Sequence, residues 1–264
     1  MSTSAARSKP IRNVADTTRP RRPFSYRVEF LLGVLMILAT ALLFQHYVLS
    51  SGQFTVQRVL FEGAYMVREE DALAAANITS EDNILFLDNK AIAANVEALP
   101  YVKRCEVQRK YPNEVLLRIV ERKAVASIMV NNHVFEIDRE FVVLRELSPF
   151  TPHTGPLLTN LPDIVFAAPG MTLDDNKALT HALALWEVFQ TLPFARELTL
   201  SELSAEHENQ LRMFFNELPY EMRWGRSDFE TQAARLAILW QEMGGEVPCA
   251  QYLDLRFDAD LVCK

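Results

Sequence analysis

The chain has 264 residues, with 34 acidic and 27 basic side chains and a formal net charge of −7. This acidic balance argues against a nucleic-acid partner, because binding to phosphate needs clustered lysine and arginine. The three cysteines, Cys105, Cys249 and Cys263, are too few and too scattered for a disulfide framework or a metal site. Two readings stay open for them: small apolar packing residues, or a single Cys249–Cys263 bridge.

One apolar stretch, residues 30–49, is long enough to cross a membrane. Its first fifteen residues read FLLGVLMILATALLF without a charge, and about 20 such residues span a hydrocarbon core. A cleaved secretory signal also has a basic start and an apolar centre, but a small-residue cleavage site follows that centre, whereas Gln45-His46-Tyr47 follows here. A helix of a soluble core would show a polar face, which this stretch lacks. We therefore predict a transmembrane helix over residues 30–49.

The charges on either side of the predicted span indicate its orientation. Residues 1–29 carry a net charge of +5 and residues 50–264 a net charge of −12. Positively charged flanks stay in the cytoplasm, so we expect a cytoplasmic N-terminus and the bulk of the chain across the membrane. The tail, residues 1–29, consists mainly of Ser, Thr, Arg and Pro up to residue 23 and is too poor in apolar residues to fold.

Residues 50–122 predict a small domain of one strand, two helices and two further strands. Asn77 suits the left-handed C-cap of the first helix, and Asp88 suits the N-cap of the second. The sequence KYPNE, residues 110–114, has the chemistry of a turn between strands. In chain order the predicted elements cover residues 54–62, 68–76, 88–98, 102–109 and 115–121.

Residues 123–264 predict a mixed β domain with two helices. Asn131-Asn132 is a plausible hairpin turn, and the five prolines between residues 146 and 170 predict an extended path over the surface. The expected strands cover residues 124–129, 133–138, 141–145, 198–203, 211–215, 220–224 and 251–262, and the expected helices cover 175–192 and 227–243.

Both predicted helices of this domain carry an apolar stripe with the spacing of one helical face. Ser227 and Glu230 have the spacing of a capping box, and Gly244-Gly245 follows the end of the second helix. Such stripes pack against a core. The two stripes are Leu179, Ala182, Leu183, Trp186 and Phe189, and then Phe229, Ala233, Leu236, Trp240 and Met243.

The sequence shows no catalytic constellation. His207-Glu208 begins like the zinc-binding helix of a protease, but residue 211 is Leu where that motif needs His. The nucleophile and phosphate-binding motifs of hydrolases and nucleotide-binding proteins are missing as well. We therefore expect a binding protein without cofactor, metal or small-molecule substrate.

Several segments together resemble a POTRA domain of the bacterial FtsQ/DivIB family of cell division proteins. The N-terminal motifs are F-x-V-x-x-V at residues 54–59, N-I-L-F-L-D at 83–88, L-P-Y-V-x-x-x-x-V-x-R-x-Y-P-N at 99–113, and Glu121-Arg122. Near the end, Trp224-Gly225-Arg226 and YLDLRF at residues 252–257 are similar to the closing pattern of the family. Asp260 departs from that pattern, since the family usually carries Gly there.

The resemblance implies an α+β protein in four parts: a cytoplasmic tail at 1–29, a transmembrane helix at 30–49, a β-α-α-β-β POTRA domain at 50–122 and a β domain at 123–264. It implies a non-enzymatic scaffold in the inner membrane at the division septum, with a periplasmic bulk. A membrane-anchored envelope enzyme is the alternative. An outer-membrane insertase fits poorly, because its barrel needs eight or more strands.

The resemblance also implies partners. FtsQ-like proteins accept a strand from FtsB, which travels with FtsL, near the C-terminus, and their POTRA domain contacts other division proteins. The residues Tyr252, Asp254 and Arg256 alternate with Leu253, Leu255 and Phe257, which predicts one strand with an apolar and a polar face. The alternative is an ordinary closing strand whose edge charges prevent another strand from pairing with it. The candidate binding residues are Tyr252, Phe257, Ala259, Asp260, Leu261 and Val262.

Overall fold

The computed structural model describes residues 25–50, 52–173, 176–225, 228–257 and 260–264. The chain forms two compact units, Met1–Gly52 and Gln53–Lys264. In the first unit, helix α1 covers Ser25–Ser50, and its part Tyr26–Val48 is long and apolar enough to cross a membrane, with a mean hydropathy of 2.1. The helix begins five residues before the predicted span, because helical hydrogen bonds continue past the apolar core into the polar flank. Of the predicted disordered tail, residues 1–24 lie outside the described part.

The second unit begins with a domain of the predicted β-α-α-β-β order. Its three-stranded sheet has the order β1-β3-β2, with β1 parallel and β2 antiparallel to β3. Both helix caps are confirmed: Asn77 has φ 50°, and the Asp88 side chain accepts hydrogen bonds from the Lys90 and Ala91 N–H groups. The elements are β1 (Arg58–Glu62), α2 (Glu69–Ala76), α3 (Asn89–Glu97), β2 (Val102–Lys110) and β3 (Glu114–Glu121).

Strand β1 is shorter than the predicted run over residues 54–62. Gly52–Phe54 forms a 3-10 turn, and the next residues pair with a loop instead of β3. The Val56 N–H donates to Asp82 O at 2.9 Å, and the Ile84 N–H donates to Phe54 O at 2.8 Å. The F-x-V half of the motif therefore closes the domain against residues 82–84, and β1 begins only at Arg58.

Two charged side chains of the sequence motifs hold loops of this domain. The Arg109 guanidinium donates to Asn89 Oδ1 at 2.9 Å and to the carbonyl oxygens of Leu85 and Leu87. Glu121 Oε1 accepts hydrogen bonds from three successive main-chain N–H groups, those of residues 65–67, each at 2.8 Å. Because these groups lie far apart in sequence, the motif residues fix the tertiary fold of the domain.

The second domain contains a sheet of nine strands in the order β12-β11-β10-β9-β8-β7-β4-β5-β6. The predicted α+β class is confirmed. The strands are β4 (Ala124–Val130), β5 (His133–Asp138), β6 (Val143–Leu147), β7 (Leu157–Thr159), β8 (Leu200–His207), β9 (Gln210–Phe215), β10 (Glu221–Trp224), β11 (Tyr252–Asp254) and β12 (Val262–Cys263). The helices are α4 (Lys177–Phe189) and α5 (Phe229–Glu242).

Strand β7 corrects the prediction of a surface path for residues 146–170. Leu157–Thr159 runs parallel to both β4 and β8, and Leu158 is fully buried. This strand joins the two antiparallel halves of the sheet. A strand of three residues in a proline-rich segment is too short to show a period-2 pattern, so its central place in the sheet could not be predicted from the sequence.

The two helices pack on the apolar face of this sheet as predicted, with one exception. Leu179, Ala182 and Phe189 of α4 are buried in one core with the sheet. Met243 is 43% exposed, because α5 ends at Glu242 and Met243 is its C-cap outside the buried face. The predicted capping box depends on Ser227, which lies outside the described residues; the N-cap is Asp228.

Polar contacts join the two domains of the second unit. Arg122 Nη1 lies 2.7 Å from Asp138 Oδ2 and 2.8 Å from Glu140 Oε2. Tyr101 donates its hydroxyl to the buried Glu136, which also pairs with Arg145 at 2.7 Å. Burial and the Glu136 charge raise the pKa of Tyr101 to about 12. Arg122, the arginine of the Glu-Arg motif, thus links the two domains through ion pairs.

Candidate partner-binding edge

The chain ends in two short strands at one edge of the nine-stranded sheet. β11 runs parallel to β10, and β12 turns back antiparallel to β11. β12 is the last strand of the sheet in the described part of the chain. The prediction of one continuous strand over residues 251–262 is therefore wrong, since the segment is split into a strand, a bend and a returning edge strand.

The bend has a local physical cause. The Asp254 carboxylate accepts the Arg256 N–H at 3.1 Å and its guanidinium at 2.6 and 2.9 Å. Arg235 of α5 donates to the carbonyl oxygens of Leu255, at 3.0 Å, and Phe257. These bonds direct the main chain away from the sheet after Leu255, whose N–H makes the last ladder contact with Arg223 O at 2.9 Å.

The tight approach of the bend explains the Trp-Gly pair of the closing pattern. A Cβ atom at Gly225 would lie 2.6 Å from the Arg256 Cγ atom and 3.0 Å from Asn209 O. Trp224 beside it is fully buried. The position therefore needs glycine because of close packing, and the neighbouring tryptophan fills the core.

The returning strand β12 is fastened by main-chain bonds and by a disulfide. The Lys264 N–H donates to Tyr252 O at 3.0 Å, and the Tyr252 N–H donates to Lys264 O at 3.3 Å. Cys263 is bonded to Cys249 across a separation of 14 residues. Of the two readings of the cysteines, the structure thus shows the bridge, while Cys105 is free and buried.

The outer side of β12 presents main-chain groups to solvent. In an antiparallel ladder, hydrogen-bonded and non-hydrogen-bonded pairs alternate. Since Lys264 and Tyr252 exchange both bonds, the neighbouring Leu253–Cys263 pair is of the second kind. The N–H and C=O groups of Cys263 therefore point away from β11, and the same alternation, continued one residue before β12, would direct those of Leu261 outward.

The predicted binding residues lie around this edge, but they do not share one face. Leu261 packs partly on the core, whereas Val262 and Asp260 are exposed. Phe257 was expected on the apolar face with Leu253 and Leu255, and this expectation is wrong: its side chain is 51% exposed because the bend turns it outward. Ala259 lies outside the described residues.

The polar side of this edge carries an ordered set of charges. The Arg223 guanidinium lies 3.8 Å from the centre of the Tyr252 ring, a cation–π contact. Burial alone would raise the pKa of Asp254, but the hydrogen bonds and charge of Arg256 outweigh it and hold the pKa below its ordinary value. Asp254 is therefore charged at neutral pH, and it keeps Arg256 in place.

Histidine and carboxylate groups in the described residues do not form a metal cluster of three or more ligands. His207 Nδ1 accepts the Asn209 N–H at 3.2 Å, and His181 Nδ1 lies 2.8 Å from Glu208 O. Both histidines thus bond to main-chain atoms of residues 208 and 209, beside the incomplete protease motif.

The fold and the edge together define a class: a protein with one candidate membrane span, a β-α-α-β-β domain and a β domain that ends in an open edge strand. Residues 54–122 match the family model described as POTRA domain, FtsQ-type, and residues 128–256 match the one described as Cell division protein FtsQ/DivIB, C-terminal. The chain belongs to the FtsQ/DivIB family, and its role lies in cell division.

Two of the similar proteins align with most of the chain, and a third aligns with about a third of it. Cell division protein FtsQ of Myxococcus fulvus is 25% identical over 243 residues, which is 92% of this chain and 84% of the relative. Cell division protein FtsQ of Geotalea daltonii is 22% identical over 80% of this chain and 76% of the relative. The protein of the same name from Rickettsia prowazekii is 29% identical over 99 residues, which is 37% of each chain.

Proposed function

We propose that this chain is a non-enzymatic scaffold of the division septum and that it binds FtsB, together with FtsL, by adding a strand of FtsB to β12. The observation that carries the proposal is the open outer side of β12, where the N–H and C=O groups of Cys263 point away from the sheet. An extended peptide satisfies such groups with main-chain hydrogen bonds, and its side chains supply specificity.

The exposed side chains near this edge supply the apolar contact. Phe257 is 51% exposed and stands at the bend, while Val262 is 37% exposed on β12 itself. Aromatic side chains that become buried on binding are typical interaction hot spots. The disulfide to Cys249 and the bonds of Lys264 hold β12 in a strand conformation before the partner arrives, which lowers the entropic cost of binding.

A proline substitution tests the strand addition directly. Leu261→Pro removes an outward N–H, and Leu261→Ala is its matched control, because it loses the same packing but keeps that N–H. We expect Leu261→Pro to weaken binding of the purified FtsB–FtsL complex at least about tenfold relative to Leu261→Ala. Phe257→Ala should cost about 2 kcal/mol, which is roughly a thirtyfold loss of affinity.

Binding is measured with the full chain in detergent, and circular dichroism checks that each variant is folded. If Leu261→Pro and Phe257→Ala bind the FtsB–FtsL complex as tightly as the unmodified chain, the interface lies elsewhere and the proposal is wrong.

We further propose that α1 lies in the inner membrane with a cytoplasmic N-terminus and a periplasmic bulk. The net charges of +5 before the span and −12 after it support this orientation. The Cys249–Cys263 disulfide also supports it, because disulfides persist in oxidising compartments such as the periplasm. In this arrangement the POTRA domain docks other division proteins and localises the chain to the septum.

A further inference from the structure

The two edges of the POTRA sheet differ in a way that strand addition at β12 does not explain. At the β2 edge, side chains occupy the outward main-chain groups: Glu97 Oε1 accepts the Cys105 N–H at 2.8 Å, and Asn89 Nδ2 donates to Val107 O at 3.1 Å. Such covering prevents the addition of another strand. The β1 edge, in contrast, has no strand beside it in the described part of the chain.

The register shows which groups of β1 face outward. The Gln57 N–H bonds to Asn113 O at 2.9 Å, on the β3 side. At the β2 edge the outward groups of Cys105 and Val107 leave Glu106 and Arg118 as a pair that exchanges main-chain hydrogen bonds, so Val115 and Leu117 of β3 face β1. In the parallel register these two residues bond to Arg58, Leu60 and Glu62, and Val59 and Phe61 direct their N–H and C=O groups away from β3. The Arg58 N–H accordingly lies on the β3 side, 3.4 Å from Asn113 O.

The side chains of Arg58, Leu60 and Glu62 lie on the sheet face opposite the domain core, because those of the alternating residues Val59 and Phe61 pack into that core. Arg58 pairs with Glu114 on β3, and Glu62 pairs with Arg118 at 3.1 Å. The register places Leu60 between them, opposite Leu116. The two ends of the strand thus carry opposite charges, and a leucine lies at its centre.

We propose that β1 pairs with β1 of a second copy of this chain, antiparallel and centred on Leu60. In this register Arg58 faces the partner's Glu62, and Glu62 faces the partner's Arg58. Leu60 faces the partner's Leu60. These three pairs are of the non-hydrogen-bonded kind, and the main-chain hydrogen bonds form between Val59 and the partner's Phe61 and between Phe61 and the partner's Val59.

The ion pairs inside each copy extend across the joined sheets. Glu114, Arg58, the partner's Glu62 and the partner's Arg118 form one row of alternating charges, because the register aligns Arg58 with Glu114 and Glu62 with Arg118. The central row is apolar, since Leu116 and Leu60 meet the partner's Leu60 and the partner's Leu116. Opposite charges that face each other across strands stabilise the pairing, and like charges oppose it. A strand with this order of residues is complementary to itself.

The ends of β1 fit the length of this pairing. Before Arg58, the Val56 N–H is bonded to Asp82 O, so residues 82–84 close the edge there. After Glu62, Gly63 has φ +83° and turns the chain out of the strand, and a Cβ atom at this position would lie 2.2 Å from Ile119 O. Each copy therefore leaves the shared ladder where the closed edge of its partner begins.

Exchanging the charges gives a specific test. Arg58→Glu places Glu opposite the partner's Glu62, and Glu62→Arg places Arg opposite the partner's Arg58, so neither variant is complementary to itself. Mixed together, the two variants are complementary at both ends. The side chains of Arg58 and Glu62 are 71% and 56% exposed, so the fold should survive, which circular dichroism checks.

Full chains with two different affinity tags are mixed in detergent, and recovery of one tag with the other is measured. We expect each single variant to recover at least about tenfold less of itself than the unmodified chain does, and the mixture of the two variants to return to the unmodified level. The proposal is overturned if the single variants self-associate normally or if the mixture recovers no more than either variant alone.

A cysteine placed at the two-fold centre tests the register. Opposed Cα atoms in such a non-hydrogen-bonded pair lie about 4.5 Å apart, within reach of a disulfide, so Leu60→Cys should form a covalent dimer in oxidised membranes. Gln57→Cys is the matched control on the same strand, because the two Gln57 positions would lie about 20 Å apart. Equal crosslinking at both positions, or none at Leu60→Cys, contradicts the pairing centred on Leu60.

Discussion

Loss of the Cys249–Cys263 disulfide should destabilise the second domain by an amount that follows from the loop it closes. The two cysteines are 14 residues apart, and a bridge that closes about 15 residues stabilises a fold by ~3 kcal/mol through the entropy it removes from the unfolded chain. With a urea dependence of about 2 kcal/mol per molar, the unfolding midpoint should fall by about 1.5 M.

Tryptophan fluorescence reports this transition selectively. The chain has three tryptophans, Trp186, Trp224 and Trp240, and all pack in the core of the second domain. Urea unfolding of the full chain is followed with and without reductant, next to a Cys249→Ala/Cys263→Ala double variant and a Cys105→Ala control. Reductant should lower the midpoint of the unmodified chain and of the control but not that of the double variant. An unmodified midpoint that does not respond to reductant would refute the reasoning.

Three further outcomes are expected. Burial alone would raise the pKa of Glu136, but hydrogen bonds from Arg145, Thr154 and Tyr101 hold it below its ordinary value; its stabilising effect is therefore full above about pH 4.3 and is lost as the pH falls through the lower, folded pKa. Glu136→Gln should accordingly flatten the loss of thermal stability between pH 5 and about pH 3, and an unchanged pH profile would contradict this account. A reporter that is active only outside the cytoplasm should work when fused after Lys264, and release of a soluble fragment starting near Ser51 would instead indicate a cleaved signal. Deletion of residues 54–121 should reduce septal fluorescence of a tagged chain, whereas unchanged localisation would make the POTRA domain a spacer.

Local chemistry predicted several helix ends and turns closely, because they depend on single residues. Asn77 adopts the left-handed conformation at φ 50°, and Asn131 and Asn132 adopt positive φ values of 51° and 65° in the hairpin turn. Asp88 caps α3 as expected. Each of these positions is determined by what one side chain does to the adjacent main chain, so a short stretch of sequence contains the whole signal.

The terminal segment shows the limit of such signals. The alternation over residues 252–257 predicts a strand, and only the first three residues form one. Arg235, which holds the bend through the carbonyl oxygens of Leu255 and Phe257, is twenty or more residues away in sequence. No periodicity within the segment can report a donor that another helix supplies.

The sequence alone determined the apolar span, the order of helices and strands in the first domain, and the family motifs, because charge, periodicity and capping act within a few residues. The tertiary structure decided which strands are central and which edges are open. β7 is central because β4 and β8 pair with it from either side, and β12 is outermost because the chain folds back after Leu255 and a disulfide holds it there. Strand neighbours are chosen by contacts between distant residues, so the exposed edges on which the proposed binding depends exist only in the folded chain.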